Sequence, residues 1–172
     1  MDKQLEELME RLRRLEDREA VRTVIAAVET LRDGGPNEVD ELMKCMTEDV
    51  HFLWSLEKIE VAGRDKLRDY IRKGRGTRVW TRHVFTNLQV QVKGDRAEAT
   101  WYVMAEGVSG VEAAAVGDKQ ARQREPANPD TLVHSDTKGA KRAVLVRTKD
   151  GWKISDYRTD MVRLSAETLK FR

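Results

Sequence analysis

Residues 79–108 read VWTRHVFTNLQVQVKGDRAEATWYVMAEGV, and this stretch decides the fold. Two alternating runs, Val79–Val92 and Arg96–Val108, flank Lys93-Gly94-Asp95. A glycine-containing tight turn between alternating runs predicts a long β-hairpin. In the second run Ala97, Ala99, Trp101, Val103 and Ala105 share one face, and Glu98, Thr100, Tyr102, Met104 and Glu106 share the other. In the first run Val84, Leu88, Val90 and Val92 fall on one face, while His83 lies on the other with Phe85, Asn87, Gln89 and Gln91. The His83 face is either the wall of an interior or the outside of the sheet, and a bulge would change the parity.

A second hairpin follows further on, Lys141–Thr148 and Trp152–Leu164, closed by Lys149-Asp150-Gly151. Between the two hairpins, residues 109–138 lose all periodicity and hold two of the three prolines, which predicts a long loop insertion. Working toward the N-terminus, Gly63-Arg64-Asp65 leads into a helix bearing Leu67, Tyr70 and Ile71 that ends at Gly74 or Gly76. Before it stand two short strands, His51–Ser55 and Ile59–Ala62, and a short helix at 37–46 presenting Val39, Leu42, Met43 and Met46. A longer helix, with Asp17 as its cap, carries Val21, Val24, Ile25, Val28 and Leu31 on one stripe and stops at Asp33-Gly34-Gly35-Pro36. Residues 3–16 form a separate amphipathic helix whose Leu5, Leu8, Leu12 and Leu15 are expected to lie on the body or on a sister subunit. Helices first and long antiparallel strands afterwards define an α+β order rather than a βαβ repeat.

At 172 residues the chain suits a single domain, 1–172. Its 32 Lys and Arg against 30 Asp and Glu leave a formal charge of only +2, which argues against a dedicated nucleic-acid binder. No apolar run reaches the roughly 18 residues of a membrane span, and the alternating charges of the first twenty residues are not those of a secretory signal. A soluble, cytoplasmic protein is therefore expected. One cysteine, Cys45, excludes an intramolecular disulfide framework and a cysteine-rich zinc site. His51, His83 and His134 lack ligand spacing, so no metal is expected.

Six strings carry a resemblance: Leu15-Glu16-Asp17-Arg18-Glu19-Ala20-Val21, Met46-Thr47-Glu48-Asp49-Val50, Gly63-Arg64-Asp65-Lys66-Leu67, Thr81-Arg82-His83-Val84-Phe85-Thr86-Asn87, Gly94-Asp95-Arg96-Ala97 and Asp150-Gly151-Trp152-Lys153-Ile154. In this order, over about residues 12–160, the chain resembles the SnoaL-like, scytalone dehydratase-like branch of the nuclear transport factor 2-like superfamily. The resemblance implies a cone-shaped α+β barrel: three to four helices in a strongly curved, mostly antiparallel sheet that encloses an apolar pocket. It also implies a small, apolar, cyclic substrate or ligand, and a homo-oligomer, dimer or trimer. The branch holds dehydratases, a dehydrochlorinase and polyketide cyclases, and the activities named need no cofactor. The implied activity is that of a cofactor-independent lyase or isomerase. The alternative is a non-catalytic ligand-binding or assembly module on the same fold.

His83 is the first candidate for chemistry, because a neutral imidazole suits proton abstraction at neutral pH. The resemblance implies this role for the His of Thr81-Arg82-His83. It also places Asp33 where an aspartate orients that histidine, although Asp33-Gly34-Gly35 reads equally as a plain helix exit. Glu106, on the adjacent strand, is the third candidate: a carboxylate in an apolar pocket has a raised pKa and serves as an acid, whereas on an outer face it is merely solvated. Trp54, Tyr70, Phe85, Trp101, Tyr102 and Met104 are the candidate pocket residues. One departure stands out. The tyrosine that family dehydratases place about five residues before the aspartate is replaced here by Val28.

Overall fold

The computed structural model describes residues 3–34, 36–55, 58–75, 78–110 and 132–169. Helix α1 (Lys3–Asp33) is followed by a 3-10 turn at Pro36–Glu38, helix α2 (Val39–Lys44) and strands β1 (Met46–Trp54) and β2 (Ile59–Ala62). Helix α3 (Arg64–Arg75) leads into the two long hairpins, β3 (Arg78–Lys93) with β4 (Arg96–Gly110) and β5 (Leu132–Thr148) with β6 (Gly151–Leu169). The strands form one curved sheet in the order β2-β1-β6-β5-β4-β3, which wraps the helices as a cone-shaped α+β fold. All neighbours are antiparallel except β1 and β6, which run parallel.

Both hairpin turns form where the sequence places them. Gly94 (φ 58°) and Gly151 (φ 96°) take the left-handed conformation that glycine adopts without a Cβ clash. The strands run beyond their expected ends, however. Residues 109–110 belong to β4 and 132–138 to β5, paired so that 104–110 lie opposite 132–138; the expected insertion is therefore strand at both margins, and its centre, 111–131, lies outside the described residues. In that part of the chain, cross-strand hydrogen bonds prevail over weak local propensity.

Two helices expected at the N-terminus are one. Glu16-Asp17-Arg18-Glu19-Ala20 contains no breaker, and α1 runs through it for 31 residues. Asp17 does not cap: its carboxylate accepts from Arg147 Nη2 at 2.6 Å and from Trp152 Nε1 at 3.4 Å, tying mid-helix to the second hairpin. Leu5, Leu8, Leu12 and Leu15 remain 47–60% exposed, so this stripe does not lie on the body of its own chain.

The core forms between the C-terminal half of α1 and the inner face of the sheet. Val21, Ile25 and Val28 pack with Val39, Leu42, Met43, Val50, Phe52, Leu67, Leu145 and Ile154, all buried. Each such side chain contributes about 1.5–3 kcal/mol when fully removed from water.

A bulge settles the parity of β3. Thr86 faces Tyr102 and Gln89 faces Thr100, so β3 has one residue more than β4 in between. Asn87 absorbs it at φ 56°, a conformation asparagine tolerates better than most residues. Above the bulge His83 and Phe85 face inward, and below it Leu88, Val90 and Val92 do. Val84, 45% exposed, is on the outside and does not share a face with Leu88.

Candidate active site

The last two turns of α1 carry the polar groups of the interior. Glu29 follows Ile25 by four residues and Arg32 follows Val28 by four, so both continue the buried stripe of the helix. Asp33 ends the helix beside β3, which is the edge strand of the sheet. There the Asp33 carboxylate covers the strand edge. Its Oδ1 accepts from the backbone N–H of His83 at 2.7 Å and lies 2.7 Å from His83 Nδ1. The His83 side chain is only 7% exposed.

On the far side of the ring, Arg32 Nε donates to His83 Nε2 at 3.5 Å. An Nε2 that accepts must be unprotonated, so the ring carries its proton on Nδ1, directed at Asp33. The arrangement therefore holds one tautomer, with the basic lone pair facing the interior. The Arg32 guanidinium carbon also sits 5.9 Å from the Tyr157 ring centroid, within cation–π range.

Beyond Arg32 is a buried cluster. Glu29 Oε1 accepts from Lys141 Nζ at 2.8 Å, Trp101 Nε1 at 3.0 Å and the Tyr157 hydroxyl at 3.1 Å, and Lys141 also reaches Oε2 at 2.7 Å. Glu29 and Lys141 side chains are each 1% exposed. Tyr157 stacks on Trp101, with centroids 6.1 Å apart.

Two cations around one carboxylate set the protonation. Burial opposes the charge on Glu29, but Lys141 and Arg32 overcome it and hold the carboxyl below its usual range. Burial and repulsion by Arg32 push Lys141 down to about 7, against the pull of Glu29. Burial and the Glu29 charge push the Tyr157 phenol well up. Arg75, whose Nη2 donates to the Leu31 carbonyl at 2.7 Å, is lowered to about 10 by burial and by Arg32.

Of the residues expected to carry chemistry, the structure brings His83 and Asp33 together and leaves Glu106 out. Glu106 is exposed on the outer face, opposite Arg82 of β3. Tyr102 (58% exposed) and Met104 (47%) share that face, so neither lines the interior. The reason is alternation: β4 pairs with β5 without a register shift from Arg96 to Gly110, so Trp101, Val103 and Ala105 inward puts their neighbours outward. Trp101 is fully buried and bonded to Glu29. Trp54, Phe85 and Tyr70 are half-buried against the core, with Tyr70 in ring contact with Phe52. Trp80 lies outside with Arg82 over its ring.

Val28 is buried in the core at 0% exposure. The aromatic hydroxyl nearest the polar cluster comes instead from Tyr157 on β6. Glu29, Arg32, Lys141 and Tyr157 were not singled out from the sequence. The available signal was charge at core positions: Glu29 and Arg32 interrupt the α1 stripe, and Lys141 alternates with Ala143 and Leu145.

His51 is held on the outer side of β1, with Nε2 2.6 Å from Glu60 and Nδ1 3.1 Å from Asp156. His134 stands on β5 opposite Val108, two strands away from His83 and three residues out of its register row. Among the described residues no group of three His, Cys, Asp or Glu side chains is placed to hold a metal ion, and no helix is long and apolar enough to cross a membrane.

Residues 13–158 match the SnoaL-like domain family, and the chain belongs to it. Among solved structures it is similar to the Kfla4162 protein from Kribbella flavida, with 19% identity, coverage of 87% of this chain and 93% of that one, and a TM-score of 0.69. It is similar to hexachlorocyclohexane dehydrochlorinase LinA-type3 from Novosphingobium barchaimii LL02 (17% identity, 91% and 93% coverage, TM-score 0.68). It also matches an NTF2-like protein with a cystatin-like fold from Novosphingobium aromaticivorans (22% identity, 90% and 88% coverage, TM-score 0.62). At these identities the likeness establishes the fold. No curated protein matches the chain.

Proposed function

We propose that the protein is a cofactor-independent lyase or isomerase of the dehydratase type, acting on a small apolar cyclic substrate. The observation that carries this reading is the His83 ring held between Asp33 at Nδ1 and Arg32 at Nε2. His83 Nε2 takes a proton from a carbon of the substrate. The electron pair of that C–H bond forms a double bond, and a hydroxyl or halide leaves from the neighbouring carbon with the pair of its own bond. Asp33 stabilises the imidazolium and keeps the ring oriented. Arg32, drawn aside from Nε2 as the substrate enters, faces the negative charge that develops on the leaving group or enolate. Where hydroxide departs, the imidazolium returns the proton and water leaves. The membership of a dehydrochlorinase among the structural neighbours supports a reaction of this type without fixing the substrate.

The test is elimination from a panel of cyclic compounds bearing a hydroxyl or chloride next to an activated C–H, followed by ultraviolet absorbance of the new double bond or by chloride release. His83→Ala and Asp33→Asn are each expected to lower turnover by roughly 10²–10⁴-fold. Absence of turnover by the wild type across the panel, or unchanged turnover in His83→Ala, overturns the reading. It would leave the second one: a ligand-binding module, favoured by the buried Val28 in place of a hydroxyl donor.

A further inference from the structure

On the inner face of the sheet, two neighbouring polar atoms are left unsatisfied by the described residues. Trp54 Nε1 and Thr159 Oγ1 are both buried and have no hydrogen-bond partner among the described residues. Thr159 is only 4% exposed. The two residues are register partners on the parallel strands β1 and β6, and Thr159 is in turn opposite Lys141 on β5, which is opposite Trp101 on β4. One row across the sheet thus reads Trp54, Thr159, Lys141, Trp101. In its second half every polar atom is bonded to Glu29. In its first half, an indole N–H and a hydroxyl stand side by side with no acceptor among the described residues.

Folded proteins leave few buried donors unpaired, because each forfeits the hydrogen bonds it had in water. A threonine in this place is not required for packing, since valine has the same shape without the hydroxyl. The backbone there is already fixed by other means: the Thr159 carbonyl accepts from both the Ser55 backbone N–H and Ser55 Oγ at 3.0 Å.

We propose that Trp54 Nε1 and Thr159 Oγ1 form an oxygen-anchoring subsite, and that the substrate is a cyclic compound carrying a carbonyl or hydroxyl oxygen that both atoms bond. This inference rests on the interior being a substrate pocket, and it extends that reading by naming the substrate class and the wall that orients it. The anchor is on the interior strands β1 and β6, and the base is on the edge strand β3, three strands beyond β6 in the curved sheet. A ring seated between them presents its acidic C–H to His83 only when its oxygen lies toward β6. The subsite therefore selects orientation as well as identity. Entry of the ring displaces the packing that closes over these atoms, and the new hydrogen bonds offset that cost.

The experiment measures binding and stability, not turnover, and is run in the His83→Ala background so that the chemistry assigned to His83 has no bearing on it. The probes are 1-tetralone and tetralin, which share a bicyclic skeleton and differ by one carbonyl. The proton–nitrogen spectrum of the four tryptophan indoles reports directly on Trp54, assigned with Trp54→Phe. Tetralone is expected to move the Trp54 indole resonance downfield and to bind about 10-fold tighter than tetralin. Adding Thr159→Val is expected to erase at least half of that preference while raising the melting temperature of the ligand-free protein by about 2–4 °C, because an unpaired buried hydroxyl is removed. Equal affinity for the two probes, an unmoved Trp54 resonance, or a melting temperature lowered by Thr159→Val overturns the proposal. The last result would mean that the hydroxyl has a structural partner.

Discussion

Replacing Lys141 by methionine keeps the unbranched stem of the side chain to within one heavy atom and removes its charge and its donors. Glu29 is then left 1% exposed without its ammonium partner. Breaking a buried pair from one side costs about 3–5 kcal/mol. The low end applies here, because Trp101 Nε1, the Tyr157 hydroxyl and Arg32 still surround the carboxylate. A loss of about 3 kcal/mol at pH 7 is a large fraction of the roughly 5–15 kcal/mol by which domains are stable. Glu29→Gln keeps an acceptor for Trp101 and Tyr157, and Lys141 sheds its proton readily, so that change costs less, about 2 kcal/mol. The double variant is expected to be no less stable than Lys141→Met alone, which gives a coupling of about 2 kcal/mol. Urea unfolding of the four proteins measures the cycle. Additivity within about 0.5 kcal/mol would refute the claim that the two side chains act as a unit.

The same residue gives a signed pH dependence. Lys141 holds its proton up to about 10.5 in the unfolded chain and only to about 7 in the folded one. Between these values unfolding takes up a proton, so raising the pH favours the folded state. The stability of the wild type relative to Lys141→Met is expected to rise from pH 7 to 10. A flat difference would show that Lys141 is not desolvated.

Two further outcomes follow from the surface network and from mid-helix α1. His51 is raised above 6.5, first by Glu60 and then by Asp156, so its contribution to stability is full below pH 6.5 and lost as pH rises through the folded value. A proton NMR titration should show its midpoint above 6.5 and a fall in Glu60→Gln, and an unmoved midpoint contradicts the contact. Asp17→Ala removes the acceptor of Arg147 and Trp152 and is expected to cost about 1–3 kcal/mol in urea unfolding. A change below about 0.5 kcal/mol, the range of ordinary surface substitutions, would mean that Asp17 is not a tertiary tie.

The α+β order was legible because its signals are local. Lys93-Gly94-Asp95 and Lys149-Asp150-Gly151 each mark a turn, and alternation over the flanking runs marks the strands. Alternation also separated the two faces of β4 correctly, but it carries no sign: nothing in Trp101, Tyr102, Val103 and Met104 says which set faces the helices. Packing supplied the sign, burying Trp101 against Glu29 and turning Tyr102, Met104 and Glu106 to solvent. The single α1 helix shows the same limit. Asp17 has the chemistry of a cap, and only the approach of Arg147, distant in sequence, makes it a tie.

For the candidate site, the sequence by itself determined the residue types: one imidazole in a strand, an aspartate at a helix end, and acids and bases at apolar positions of α1 and β5. The tertiary structure decided which of them meet. The Asn87 bulge turned His83 inward, the edge position of β3 gave Asp33 a backbone N–H and a ring nitrogen to hold, and the curvature of the sheet brought Lys141 and Tyr157 over Glu29. The physical reason is that side-chain direction depends on a one-residue register, while proximity depends on closure of the whole sheet. Neither is encoded in the spacing of residues along the chain.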